Sequence, residues 1–339
     1  MDKALERAAV TVALREMNVR AIREFERPDF IALVDRHIHV GIEITELWAS
    51  QTEARLDRID GYVQQLIDGH PRHREDARET RIAGEGQLTK PDGTSVPIGP
   101  GVISPIPSLS RHLDLIAKSI ETKSRKYSTY AKPLNGHELV IVDHITWGNA
   151  PAQPLPCSAL LTQRLLTALR LAPFQDVIVL AVADEDRQYS LSLRTLELAD
   201  RFTLAKELME SVWTDTPPNR LQRLSMLALL SFAEHSKSIG FGFTLDPEAI
   251  HLGRFSVQPL GASAFEISDS YGEPPGFVLP TWPQDITAAR RAELIALMLN
   301  ETPKKPPHAQ LFNDITSELV GNILVRRNSD VLPKHHRTE

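Results

Sequence analysis

Residues Arg23 to Glu46 read REFERPDFIALVDRHIHVGIEITE, and the fold turns on how this stretch is paired. Phe30 to Val34 (FIALV) and Ile38 to Thr45 (IHVGIEIT) are short runs rich in β-branched residues. The turn-like DRH of Asp35 to His37 separates them, so the segment predicts a β-hairpin. Alternation across the second strand puts His39, Gly41, Glu43 and Thr45 on one face and Val40, Ile42 and Ile44 on the other. A carboxylate flanked by isoleucines is out of place in a buried strand unless it faces a cleft or a partner. Asp29 heads the preceding strand, directly after Pro28. Antiparallel neighbours lie only about 5 Å apart, so the hairpin can bring Asp29 beside Glu43. Two converging carboxylates suit hard-oxygen coordination of Mg²⁺ or Mn²⁺.

Upstream, Leu5, Ala9, Val12, Met17, Ile22 and Phe25 mark an apolar stripe that predicts one helix from Ala4 to Glu26, stopped by Pro28. Downstream, Gln51 to Gly69 returns to helical spacing. Residues 70–107, with a charged run and several prolines and glycines, predict short strands and long loops as an excursion from the main sheet. A helix is expected from Ser108 to about Ser128, capped by Ser108 or Ser110. ELVIVD at Glu138 to Asp143 and DVIVLAVA at Asp176 to Ala183 are nearly continuous apolar strands of the kind buried on both faces. A helix from Ser158 to Leu171 lies between them, and strands alternating with helices imply an α/β core. Further helices are expected at Leu191 to Val212, Asn219 to Ser236, Ala288 to Leu299 and Leu311 to Val325. Ile239 to Leu245 and Ala249 to Ser256 are expected to pair as strands. The expected organisation is a domain over 1–190 with an insertion around 70–107, then a mostly helical α+β region over 191–339.

Pro28-Asp29 followed by Glu43-Ile44-Thr45 resembles the PD-(D/E)XK phosphodiesterase superfamily, the restriction-endonuclease-like fold. The resemblance covers about 45% of the chain. It implies a mixed central sheet flanked by helices, to which this chain adds a C-terminal α+β extension. It further implies a divalent-metal-dependent nuclease in which Asp29 and Glu43 hold Mg²⁺ or Mn²⁺, with Glu24 on the upstream helix as a further acid. The expected partner is nucleic acid, DNA in preference to RNA, with a homodimer as one assembly open to it. Where the family pattern has a strand lysine, this chain has Thr45. Some relatives place that lysine on the following core helix, and here AKSIETKSRKYSTY offers Lys118, Lys123, Arg125 and Lys126. Lys123 and Lys126 lie one turn apart and share a face. From Arg111 to Lys132 there are six Lys or Arg against Asp114 and Glu121, a local net charge of +4 on a chain of net charge -6. Such a focus opposite a carboxylate pair is what a phosphodiester requires. The missing strand lysine keeps two other readings open: a non-catalytic nucleic-acid-binding or protein-interaction member of the fold, and an unrelated α/β structural protein.

Composition bounds these readings. The 339 residues are 42% apolar and 24% charged, as in ordinary globular proteins. The acidic balance excludes a polybasic coat but not a local basic groove. Cys157, the one cysteine, cannot form an intramolecular disulfide or a thiolate cluster. No apolar run approaches a membrane span and the first residues lack an export-signal h-region, so the expectation is a cytoplasmic protein with no membrane partner. His37 and His39 share a strand face without a third ligand nearby, and His39 joins Glu43's face. Cys157 with His144 upstream invites a thiol hydrolase, against which a buried inert cysteine is the simpler reading.

Overall fold

The computed structural model describes residues 3–14, 19–34, 37–89, 94–98, 100–104, 107–130, 134–145, 155–182, 188–212, 219–235, 243–245, 248–252, 255–260, 264–269, 282–305, 308–309, 317–320 and 323–326. Asp35 and Arg36 of the expected turn, Ile239 to Gly242 of an expected strand and Leu311 to Thr316 of an expected helix lie outside these residues.

Helix α1 (Lys3–Ala13) buries Ala9, Val10 and Val12. The chain next forms a strand, β1 (Val19–Glu24), and not the helix predicted to run on to Glu26. VRAIRE alternates as readily as it spirals. Pairing with FIALV satisfies its peptide groups and half-buries Ile22, which the imperfect helical stripe does not offer. β1 pairs antiparallel with β2 (Phe30–Val34), which pairs antiparallel with β3 (Ile38–Leu47), Phe30 standing opposite Ile42.

The helix expected over Gln51 to Gly69 is two, α2 (Gln51–Arg58) and α3 (Tyr62–Ile67). Ile59 turns extended and Gly61 takes φ 69°, a left-handed conformation that glycine adopts without Cβ strain. After α4 (Asp76–Glu79) come β4 (Arg81–Ala83), β5 (Gly86–Thr89), β6 (Ser95–Ile98) and β7 (Gly101–Ile103). They pair β4 with β7 and β5 with β6, outside the main sheet. Helix α5 (Leu109–Lys126) starts at Ser108, whose side chain accepts from Arg111 N at 3.3 Å. Its buried Leu113, Ile116, Ala117 and Ile120 repeat at helical spacing.

β8 (Gly136–Asp143) lies parallel to β3, with Glu43 opposite Leu139. A two-residue β9 (Leu155–Pro156) leads into α6 (Cys157–Leu160) and α7 (Gln163–Leu171), which stand where one helix from Ser158 is expected; Thr162 caps the second. β10 (Asp176–Val182) is parallel to β8, and β11 (Gln188–Ser192) is antiparallel to β10. The sheet order is β1-β2-β3-β8-β10-β11, a mixed central sheet flanked by helices. Leu139, Ile141, Val177 and Val179 pack with α5, α6 and α7 on one face. Val140, Val142, Ile178 and Leu180 pack with α1 on the other. Burial on both faces is why these strands read as unbroken apolar runs.

Beyond it, α8 (Leu193–Val212) is buried on nearly every side. Its Leu193 and Leu196 belong to the first core, while Leu198 to Met209 belong to a second. Then follow α9 (Arg220–His235), β12 (Phe243–Leu245), β13 (Ile250–Leu252), β14 (Phe255–Leu260), β15 (Ala264–Asp269), α10 (Ala288–Asn300), β16 (His308–Ala309), β17 (Ser317–Val320) and β18 (Ile323–Arg326). A smaller sheet runs β12-β13-β14-β15-β18-β17. The helix expected over Leu311 to Val325 is therefore corrected: its described part is an antiparallel strand pair, with β18 also parallel to β15. An apolar run as short as ILV suits either element, and an open edge on β15 decides for strand. Among the described residues, no helix is long and apolar enough to cross a membrane.

Candidate functional site

The hairpin register places Asp29, one residue before the Phe30–Ile42 pair, level with Glu43 and on the α5 face. Asp29 Oδ2 accepts from Ile44 N at 2.8 Å, which pins the first acid to the peptide beside the second. Glu43 is only 7% exposed. Its Oε1 accepts from Lys123 Nζ at 2.6 Å, and the same ammonium donates to Ile44 O at 2.7 Å. Lys123 stands in the last turn of α5, so burying Ile116 and Ile120 against the sheet aims its stem at β3.

Burial pushes the Glu43 carboxyl above its ordinary range. Lys123 works against that shift, and the charge of Asp29 adds to it. Tyr130 is buried near both carboxylates. Burial first, and then the negative charges of Glu43 and Asp29, drive its phenol well above its usual range, so it stays a neutral hydroxyl at any working pH. Tyr127 packs edge-on to Tyr130 at 5.4 Å between ring centroids, and its hydroxyl meets His137 Nδ1 at 3.1 Å. Gly41 permits this packing. A Cβ there would lie 2.5 Å from His137 Cδ2 and 2.7 Å from Pro28 Cγ, so no side chain fits between the histidine and the proline.

The remaining expected residues are placed otherwise. Glu24 is on edge strand β1, not on a core helix, and faces the α1 side with its partner Phe30, where Lys3 lies over the Phe30 ring. Period-two alternation thus separates it from Asp29 and Glu43. Lys126 and Lys118 are exposed. Three residues along a helix is 300° of rotation, enough to leave Lys126 exposed while Lys123 reaches Glu43. Thr45 is half-buried on Glu43's face. His39 is exposed, its peptide clasped by Asn135 through N–H to Oδ1 and C=O from N, each at 2.8 Å. Cys157 is fully buried, and His144 instead stacks on Trp48 and meets Glu46 at 3.3 Å, which disposes of the thiol-hydrolase pairing.

Sequence reasoning missed Tyr130, which no spacing rule marks, and a buried contact between His112 Nε2 and Asp143 Oδ2 at 2.6 Å that ties the start of α5 to the end of β8. Among the described residues, no group of three or more His, Cys, Asp and Glu side chains gathers as a metal site. The donors at hand are two carboxylates, each with a second oxygen beyond the contacts above, and the Ile44 carbonyl. Three hard oxygens of this kind, completed by water, fit Mg²⁺ or Mn²⁺. The raised Glu43 carboxyl beside a second acid is the electrostatic situation that a cation relieves. Compared with protein-family models, with curated proteins and with solved structures, the chain matches none.

Proposed function

We propose that the chain is a divalent-metal-dependent nuclease of PD-(D/E)XK type, hydrolysing phosphodiester bonds of nucleic acid, DNA in preference to RNA. The observation that carries this reading is the delivery of Lys123 from α5 onto Glu43, beside Asp29, in a chain whose strand lysine is Thr45. Asp29, Glu43 and the Ile44 carbonyl would hold the ion, which when bound supplies Lewis-acid activation of a water. Lys123 carries the positive charge that a phosphoryl oxygen meets, and exchanging a carboxylate partner for a phosphate oxygen keeps its ammonium hydrogen-bonded throughout. Tyr130, neutral and buried, holds its hydroxyl near the same carboxylate. Burial of Glu43 limits water and strengthens each of these interactions.

Purified protein incubated with plasmid, single-stranded DNA and RNA in Mg²⁺ or Mn²⁺ tests the reading. Cleavage is expected from the wild type and lost in Glu43→Gln and Asp29→Asn. Equal products from wild type and variants mean a contaminant, and the proposal goes. A second reading has its own support: Lys123–Glu43 is a largely buried ion pair that ties α5 to β3, which a non-catalytic member of the fold would also use. Calorimetry with Mn²⁺ separates the two, since a folded protein that takes up no ion fits the non-catalytic reading.

A further inference from the structure

At the other end of α5 a cleft of about 670 Å³ opens between the start of α2, the end of α4 and the strand excursion. Twelve residues of helix separate Arg111, on its wall, from Lys123, a distance of roughly 18 Å. This is a place apart from the Asp29–Glu43 pair. Three arginines from three elements line it: Arg78 of α4, Arg81 of β4 and Arg111 in the first turn of α5. Among the described residues none of the three guanidinium groups has an ion-pair partner. Neighbouring arginines behave differently: Arg55 is held by Asp76 and Arg58 by Glu46. Glu53 and Glu79 also line the cleft, so its charged groups leave a surplus of one positive charge, which favours an anion there. Guanidinium forks match phosphate oxygens two at a time. The amino end of α2, capped by Ser50, adds a favourable dipole for negative charge. Glu53 stands on the same wall, where it offers an acceptor for N–H or O–H groups of the uncharged part of a ligand. The volume suits a molecule of nucleotide size.

We propose that this cleft binds a phosphomonoester of nucleotide size, its phosphate on Arg78, Arg81 and Arg111 and its polar body toward Glu53. The site is independent of the nuclease reading, since neither Asp29, Glu43 nor Lys123 takes part. The same phosphate chemistry could be presented by a free nucleotide or by the phosphorylated end of a nucleic-acid strand.

The full chain is titrated calorimetrically with adenosine monophosphate, adenosine, and two oligonucleotides that differ only in a terminal phosphate. Adenosine monophosphate is expected to bind at least about 10-fold more tightly than adenosine, the scale of a lost charge-assisted contact. A preference for the phosphorylated oligonucleotide that exceeds the preference for the mononucleotide assigns the phosphate to a strand end; the reverse assigns it to a free nucleotide. The double variant Arg78→Gln/Arg111→Gln, folded by circular dichroism and melting, should weaken binding by about 10-fold or more. Asp29→Asn should leave it unchanged even where it abolishes cleavage. Adenosine binding as tightly as its phosphate, no binding of any phosphorylated probe, or full affinity in the arginine variant overturns the proposal.

Discussion

Asp76 near α2 and Glu43 on β3 are both carboxylates buried beside a cation, and their surroundings drive them in opposite directions. Asp76 is fully enclosed, yet it accepts from Arg55, from the Tyr62 hydroxyl and from Thr52, whose Oγ1 lies 2.7 Å away. Burial alone would raise its carboxyl, but these donors outweigh burial and hold it at about 2. Glu43 has Lys123, and the like charge of Asp29 stands near it, so burial wins and its carboxyl rises. The difference is in the count of donors and in the sign of the nearest neighbour. A satisfied acid stabilises a fold, whereas a crowded acid with spare oxygens is poised to receive a cation.

Breaking the satisfied cluster has the largest expected effect. Arg55→Ala leaves Asp76 buried without its cation and should lower stability by ~3 kcal/mol, read by urea unfolding. Activity on plasmid, corrected for the folded fraction, should be untouched. On the other side of the comparison, Lys123→Ala should lower turnover by about 10²-fold, the scale of a lost transition-state contact, with no unfolding. Full turnover in a folded Lys123→Ala would remove the lysine from the chemistry and favour the structural ion pair.

The pH dependences sharpen the contrast because their signs differ. The depressed Asp76 carboxyl contributes roughly 2 kcal/mol that is fully present above its ordinary value of 3.8 and is lost as pH falls toward about 2. Asp76→Asn should therefore flatten the acid limb of a melting-temperature profile. Glu43, raised above its ordinary 4.5, acts in reverse: its ionisation works against folding as pH rises through its raised value. Glu43→Gln should gain melting temperature over wild type as pH increases across that window, by less than the Asp76 effect, while losing cleavage. A gain that falls with pH would contradict the raised carboxyl. Lys126→Ala closes the series with the smallest effect, under about 0.5 kcal/mol in stability and none in turnover, because its ammonium is exposed.

Much of the first core was legible from local pattern. FIALV, IHVGIEIT, ELVIVD and DVIVLAV form strands, and the helix at α5 begins at its serine cap. Continuous apolar runs belong to strands covered on both faces, and that signal is contained within the run itself. Where a segment satisfies either period, local pattern does not choose between helix and strand. VRAIRE and ILVR are strands because β2 and β15 offer an open edge, and no residue inside those segments announces that neighbour.

Local pattern was enough for the hairpin and its alternation, and hence for Asp29 and Glu43 to share a face; that Glu24 lies on the opposite one follows from the register of β1 against β2. Side-chain direction in a strand follows from residue parity, a local property. Long-range packing chose which lysine of α5 reaches Glu43, brought Tyr130 close to the same carboxylate, and gathered Arg78, Arg81 and Arg111 at one cleft. Those choices depend on how a helix is rotated against a sheet. That rotation is set by burying Leu113, Ile116, Ala117 and Ile120 against strands far away in the chain, and packing of that range leaves no mark in the spacing of any one segment.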